Sequence, residues 1–239
     1  IVQARLAALG AETALSIDEG WVLEAFLTPA QLLHVIHMDE VLGVDRWSTP
    51  EEDMNNARAL MGANYLETVA GLTGQGVRAE VCDGGLDTSH SDWSGSRSPT
   101  IHGSSGSSTS HGTCTFGINF GDGSSHSNAR GMMPDGEGVF ASYNFSNRYN
   151  HTAQCVDPSQ PYRCVFQTNS WGDARTRSYT SVSQEMDDII RINDFVILQS
   201  QSNAGNQDSR PQAWAKNIIS VGGIRHGDDQ NFSNDTWNY

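Results

Sequence analysis

The sequence predicts an α/β protein: a mainly parallel sheet flanked by helices, preceded by a small α+β domain. Three observations carry this expectation. From Ala59 onward, apolar strand-like runs alternate with helix-like patterns, as in chains that wind a sheet through crossover helices. The strands read as continuous apolar runs, Phe195-Val196-Ile197-Leu198 among them, which suits strands buried on both faces. Glycine pairs, Gly84-Gly85 and Gly222-Gly223, follow strand ends, where backbone and ligand must approach closely. Residues 1–58 differ in character and form the small domain and a linker; residues 59–239 form the larger one.

In the small domain, Val2 to Leu9 is Ala- and Leu-rich, with Leu6 and Leu9 at helical spacing, so a helix is expected. Trp21 to Phe26 reads as a strand. Thr28-Pro29 supplies an N-cap with proline at the first helical position, and Leu32, Leu33, Val35 and Ile36 fill one broad face of the helix that follows. Val41 to Trp47 is a further strand, and Ser48 to Arg58 an acidic, Asn-rich linker.

The first strand of the larger domain opens at Gly74-Gln75-Gly76-Val77 and ends on Asp83. Residues 89–110 hold ten serines among 22 residues, a polar surface loop in which His102 is expected to be solvated. His111 to Phe120 is a helix, Val139 to Tyr143 and Val165 to Thr168 are strands, and Ser183 caps a helix built on Met186, Ile189, Ile190 and Ile192. Phe195 to Leu198 and Ile218 to Gly223 complete the sheet.

Composition narrows the function classes. The 239 residues suit one domain of ordinary size plus a small one. Against 28 acidic residues stand 14 basic ones, only Lys216 a lysine, for a net charge of −14. That balance disfavours nucleic-acid backbones and anionic membranes as partners. No apolar run approaches the ~20 residues of a membrane span, and no signal-peptide pattern opens the chain at Ile1-Val2-Gln3-Ala4-Arg5. The acidity fits a soluble, secreted or salt-tolerant protein and leaves room for structural Ca²⁺, although Asp228, Asp229, Asn231 and Asp235 match no EF-hand and read as a solvated loop. No metal ligand is assigned. Cys155 and Cys164 bracket a short Pro-containing loop and suit a hairpin disulfide, whereas Cys82 and Cys114 are either buried thiols or a bridge. Without a C-x-x-C pair, a structural zinc site is not expected.

The candidate site is an acid, a histidine and an amide, each at the end of an apolar run. Asp83 closes a strand before Gly84-Gly85, His111 opens a helix among the small residues Ser110, Gly112 and Thr113, and Asn206 ends Ser202-Asn203-Ala204-Gly205-Asn206. An acid orients an imidazole, the imidazole moves protons, and an amide donates to an oxyanion. Among the other histidines, His34 and His37 have no partner motif, and His90 in Asp87-Thr88-Ser89-His90-Ser91-Asp92 reads as a structural turn. A nucleophile is missing, since Ser200, Ser202 and Ser220 lack the required context.

These motifs resemble those of the subtilisin-like serine peptidases, the subtilases. Asp83 matches the aspartate of a D-[TS]-G pattern, with Gly84 in place of the hydroxyl residue; His111 matches the histidine of H-G-T; Asn206 in Ala204-Gly205-Asn206 matches the oxyanion asparagine. Asn169-Ser170-Trp171-Gly172 resembles the S-x-G strand that pairs with bound peptide, and Ala129 to Asp135 resembles the G-x-A-P-x segment. The strand, T-P-capped helix and V-x-x-V-D strand of residues 15–58 resemble the latter half of a subtilase propeptide.

The resemblance implies a secreted serine endopeptidase zymogen acting on polypeptide substrates, with its own propeptide as intramolecular inhibitor. In it His111 is the general base, Asp83 its orienter and Asn206 the oxyanion donor, while Ser170, Trp171 and Gly172 wall the primary specificity pocket. The chemistry needs no cofactor, and structural Ca²⁺ is allowed for. Because no G-T-S-[MA]-A motif occurs, the chain is expected to be truncated at its C-terminus and inactive as it stands. Two other readings compete: a non-catalytic subtilase-fold protein that binds peptides or a partner, and a metal-dependent hydrolase using His90, His102 and His111, which lacks an H-E-x-x-H pattern.

Overall fold

A computed structural model describes residues 1–16, 23–41, 44, 54–225, 229 and 231–236. The chain divides into two compact units, Ile1–Glu51 and Glu52–Tyr239.

In the first unit, helix α1 (Val2–Ala8) leads into strand β1 (Glu12–Ser16), which pairs antiparallel with β2 (Leu23–Phe26). β1 was not among the expected elements. Its sequence, Glu-Thr-Ala-Leu-Ser, carries little apolar alternation and is a strand because β2 pairs with it. Helix α2 (Pro29–Val35) starts at the expected Thr28-Pro29 cap: Thr28 Oγ1 accepts from Gln31 N at 3.3 Å, and Thr28 N donates to Gln31 Oε1 at 2.7 Å. Gln31 Nε2 also donates to Leu9 O at 2.9 Å, tying α2 to the end of α1. Of the apolar face of α2 only Val35 is buried; Leu32, Leu33 and Ile36 are exposed. The strand expected over 41–47 lies largely outside the described residues; Val41 and Val44, which are described, are not in a strand.

The second unit holds a six-stranded sheet of β3 (Arg78–Asp83), β4 (Thr100–Ile101), β5 (Glu137–Ser142), β6 (Phe166–Asn169), β7 (Val196–Ser200) and β8 (Ile219–Val221). The strand order is β4-β5-β3-β6-β7-β8, and every pair is parallel. Parallel pairing requires crossovers, and the chain supplies helices for them. Helix α5 (Thr109–Phe120) covers one face, where Phe116 and Phe120 pack with Ala79, Val81 and Phe140. α6 (Arg148–Val156) and α7 (Ser181–Asn193) cover the other, where Cys155, Met186 and Ile189 pack with Val139 and Ile197. Side chains alternate along β3, so Ala79 and Val81 join the α5 core while Glu80 is left to the opposite face.

Some elements differ from expectation. α6 was not anticipated; its polar residues do not announce a helix, yet the Asn147 side chain caps it by accepting from Asn150 N at 2.9 Å. α7 is capped by Thr180, not Ser183, which instead accepts from Thr180 N at 3.0 Å and donates to Pro211 O at 2.6 Å. Residues 54–58 of the expected linker are helical, within α3 (Met54–Leu60), which α4 (Ala63–Thr68) follows. Arg58 is buried there. It donates to Asn64 Oδ1 at 3.0 Å, to Gly131 O and to Glu67, whose carboxylate also accepts from Arg130 Nη2 at 2.7 Å. This network ties α3 and α4 to the loop before β5.

Two side-chain expectations are corrected. His102 is not solvated but buried: β4 enters the sheet beside β5, His102 N donates to Phe140 O at 2.8 Å, and the ring turns inward. The structure holds no disulfide, because all four cysteines are free thiols. Cys155 and Cys164 are neighbours, joined by a backbone hydrogen bond of 2.8 Å, but they sit as thiols in the apolar core, with Cys164 Sγ donating to Tyr162 O at 3.7 Å. Cys82 is buried on β3 and Cys114 lies on the exposed side of α5, so no bridge joins them.

Candidate active site

Asp83 is the last residue of β3 and its carboxylate is buried at 3 % side-chain exposure. Oδ1 accepts from Gly84 N at 2.7 Å and Oδ2 from Thr115 Oγ1 at 3.1 Å. Both oxygens lie 2.9 Å from His111 Nδ1, in the first turn of α5. The imidazole itself is 61 % exposed. One ring nitrogen is thus held by a fixed buried anion while the other is left for chemistry at the surface. A carboxylate in this position fixes the tautomer and stabilises the imidazolium that forms on proton uptake.

Glycines make the approach of α5 to β3 close enough for this pair. A Cβ on Gly112 would fall on the Gly85 carbonyl oxygen and come within 3.1 Å of Asp83 Cβ. A Cβ on Gly85 would meet the Ser108 backbone at 2.9 Å. Gly112→Ala is therefore expected to destabilise the protein by about 1–3 kcal/mol through overpacking. It should also draw His111 away from Asp83. The check is a thermal melt together with the NMR signal of the Nδ1 proton shared with Asp83, and an unchanged signal would refute the steric argument.

A cleft of about 690 Å³ opens at His111. It is lined from the C-terminal ends of the strands, where parallel α/β sheets bind ligands. Tyr143 and Phe145 follow β5, Arg148 begins α6, and Ser170, Trp171, Gly172 and Asp173 follow β6. The Trp171 ring lies 5.0 Å from that of Tyr143, and the Arg148 guanidinium stacks over it at 5.1 Å. Trp171 Nε1 donates to Asn169 Oδ1 at 3.2 Å, and its carbonyl accepts from Gln199. At Gly172 the backbone runs against Arg210, whose Cβ would be 2.8 Å from any Cβ added there.

The fold therefore brings Asp83, His111, Ser170, Trp171 and Gly172 to one cleft. Asn206 lies in the loop after β7, exposed, its Oδ1 accepting from Asp208 N at 2.6 Å; from that loop it is Asn203 that lines the cleft. Among the described residues no hydroxyl or thiol is hydrogen-bonded to His111. Sequence reasoning missed Tyr143, Phe145, Arg148 and Arg210 as cleft residues. The first two had a signal, paired aromatics just past the end of a buried strand; the arginines had none.

The three histidines of the metal-hydrolase reading do not converge. His90 stacks on Trp93 with centroids 4.6 Å apart and caps a turn through Asp92 N, His102 is buried on Glu80, and His111 stands on Asp83.

No protein-family model matches this sequence, and no curated protein matches it. Solved structures do. The sheet of the second unit is parallel throughout and carries an acid–histidine pair at its C-terminal edge, an α/β architecture. Within that class the fold is subtilisin-like. The chain is similar to the prenylagaramide maturation protease PagA, with a TM-score of 0.54 and 17 % identity over 70 % of this chain and 60 % of that one. It is also similar to fervidolysin from Fervidobacterium pennivorans, a keratinolytic enzyme related to subtilisin, with a TM-score of 0.50 and 17 % identity over 100 % of this chain and 43 % of that one. The chain thus spans less than two thirds of either protease. Among the described residues no helix is long and apolar enough to cross a membrane.

Proposed function

We propose that this chain carries the acid–base half of a secreted, subtilisin-like serine endopeptidase, with Ile1–Glu51 derived from its inhibitory propeptide. The observation that carries the reading is the hydrogen bond of 2.9 Å between buried Asp83 and exposed His111 at the edge of a peptide-sized cleft. His111 takes the proton of an attacking serine, Asp83 steadies the imidazolium, and the imidazolium returns the proton to the leaving amine. The Ser170–Gly172 segment offers backbone groups to an extended polypeptide, as in β-strand addition. No serine among residues 1–239 stands in the nucleophile's motif, so these residues are expected to hydrolyse no peptide by themselves. No cofactor takes part in the chemistry, and any Ca²⁺ is structural.

Sequencing the coding region beyond the codon for Tyr239 tests this reading. A continuation containing G-T-S-x-A, whose full product is labelled by a fluorophosphonate, is the expected result. A genuine stop codon there would leave a peptide-binding relative without catalysis.

The amide donor is proposed from the loop after β7, with Asn206 chosen by motif. In the full product, Asn206→Ala should lower kcat by about 10²–10³-fold with little change in KM, the loss known for a subtilisin oxyanion asparagine. If Asn203→Ala causes that loss and Asn206→Ala does not, the role belongs to Asn203.

A further inference from the structure

On the face of β3 away from α5, Glu80 is fully buried and meets polar groups from three other segments. His102 Nδ1 lies 2.7 Å from Glu80 Oε2. His151 Nε2 and Gln167 Nε2 both hold the other oxygen, Oε1, at 2.9 and 2.6 Å. The His102 ring is sandwiched between His151 and Tyr162, with centroids 3.8 Å away on each side. The Cys155 thiol comes up beside this group from α6. One carboxylate oxygen of Glu80, one ring nitrogen of His102 and the Cys155 sulfur all lie within 4.8 Å of one another, and all three residues are buried.

We propose that Glu80, His102 and Cys155 form a structural binding site for a divalent transition metal of the zinc type. The donor set is the first argument: oxygen, imidazole nitrogen and thiolate sulfur together are what Zn²⁺ takes, and a site with sulfur does not suit Mg²⁺ or Ca²⁺. The second is the orientation of His102. Its Nε2 faces Gln154 Oε1 at 3.2 Å while Nδ1 faces the carboxylate. In this orientation of the Gln154 amide both ring nitrogens face acceptors, an arrangement that suits two ring protons or a cation in place of one. A metal-bound histidine characteristically donates its second N–H to such an outer acceptor, here Gln154. The third is charge. Exchange of one divalent ion for the His102 Nδ1 proton and the Cys155 thiol proton leaves the buried site with the same net charge. His151 and Gln167 meanwhile fix the carboxylate through Oε1, leaving Oε2 for the ion. The ion would clamp β3, the end of β4 and α6 together on the strand that carries Asp83.

The test uses the 239-residue chain, purified without chelator, assayed for zinc, then stripped and titrated with Zn²⁺ or Co²⁺ alone. About one equivalent of metal per chain is expected. The Co²⁺ form should show a near-ultraviolet thiolate charge-transfer band and the visible bands of a tetrahedral ion. Cys155→Ser should abolish the charge-transfer band, and Cys164→Ser should keep it. Gln154→Ala, an exposed change outside the ligand set, should weaken binding about 10–100-fold and keep the variant folded. The proposal falls if the folded chain binds neither ion, if the charge-transfer band survives Cys155→Ser, or if thiol counting finds Cys155 in a disulfide with Cys164. None of these readouts involves peptidase activity, so they stand or fall separately from the proposed catalysis.

Discussion

In the full product containing the proposed serine, His111→Ala is expected to lower kcat by about 10⁶-fold, the loss known when subtilisin loses its histidine. KM should stay close to its original value, because the cleft residues Tyr143, Trp171 and Gly172 do not depend on the imidazole. Asp83→Asn should cost less, about 10⁴-fold, since the imidazole stays in place but favours the wrong tautomer. The two losses should not add, because Asp83 acts only through the ring it holds. Steady-state kinetics on an extended peptide decides the matter. A loss below about 100-fold for His111→Ala lies at the floor of what general acid–base catalysis contributes and would remove His111 from the chemistry.

Glu80→Ala carries the largest expected effect on stability. The carboxylate accepts from His102, His151 and Gln167 with no water-exposed surface of its own. Its removal leaves three buried polar groups without their shared acceptor. Losing one partner from such a group costs about 3–5 kcal/mol, or about 10 °C in melting temperature for a unit of this size.

The same carboxylate shapes the acid limb of stability. Burial alone would raise its pKa, but hydrogen bonds from His102 and His151, together with their charge, outweigh burial and hold it at about 2, below the ordinary 4.5. A carboxyl depressed in the folded state stabilises fully above its unfolded pKa. That contribution, on the order of 3 kcal/mol, is lost as pH falls from about 4.5 toward about 2. The groups facing Glu80 are His102 after β4, His151 and Cys155 on α6, and neutral Gln167 on β6. Urea titrations in chelator across that range should show a steep acid limb in the parent chain and a shallower one in Glu80→Ala. Parallel limbs would place the depressed carboxylate elsewhere.

Much of the architecture was legible before any coordinates. The strands read at 77–83, 139–143, 165–168 and 195–198 fall on β3, β5, β6 and β7, and those at 139–143 and 195–198 stood out as apolar runs, as strands buried on both faces do. Asp83 and His111 were legible for a different reason. Each sits at an element end beside glycines that suit a close backbone approach, and at Gly112 and Gly85 an added Cβ would meet the neighbouring backbone. Ser170, Trp171 and Gly172 came from the resemblance of Asn169 to Gly172 to an S-x-G strand, and they reach the same cleft.

What the sequence determined by itself was local: periodicity set the elements, caps such as Thr28-Pro29 set a helix start, and short motifs marked where chemistry could stand. Tertiary structure alone decided the rest. His102 read as a loop residue in a serine-rich stretch. Yet Glu80 gathers His102, His151 and Gln167 from 22, 71 and 87 residues away. Arg58, in what read as a linker, is buried by partners as far as 73 residues on. Asn203, three residues before the motif amide, is the one that lines the cleft. Parallel strands adjacent in the sheet are distant in the chain, so the side chains that meet across them leave no mark in any local window of sequence.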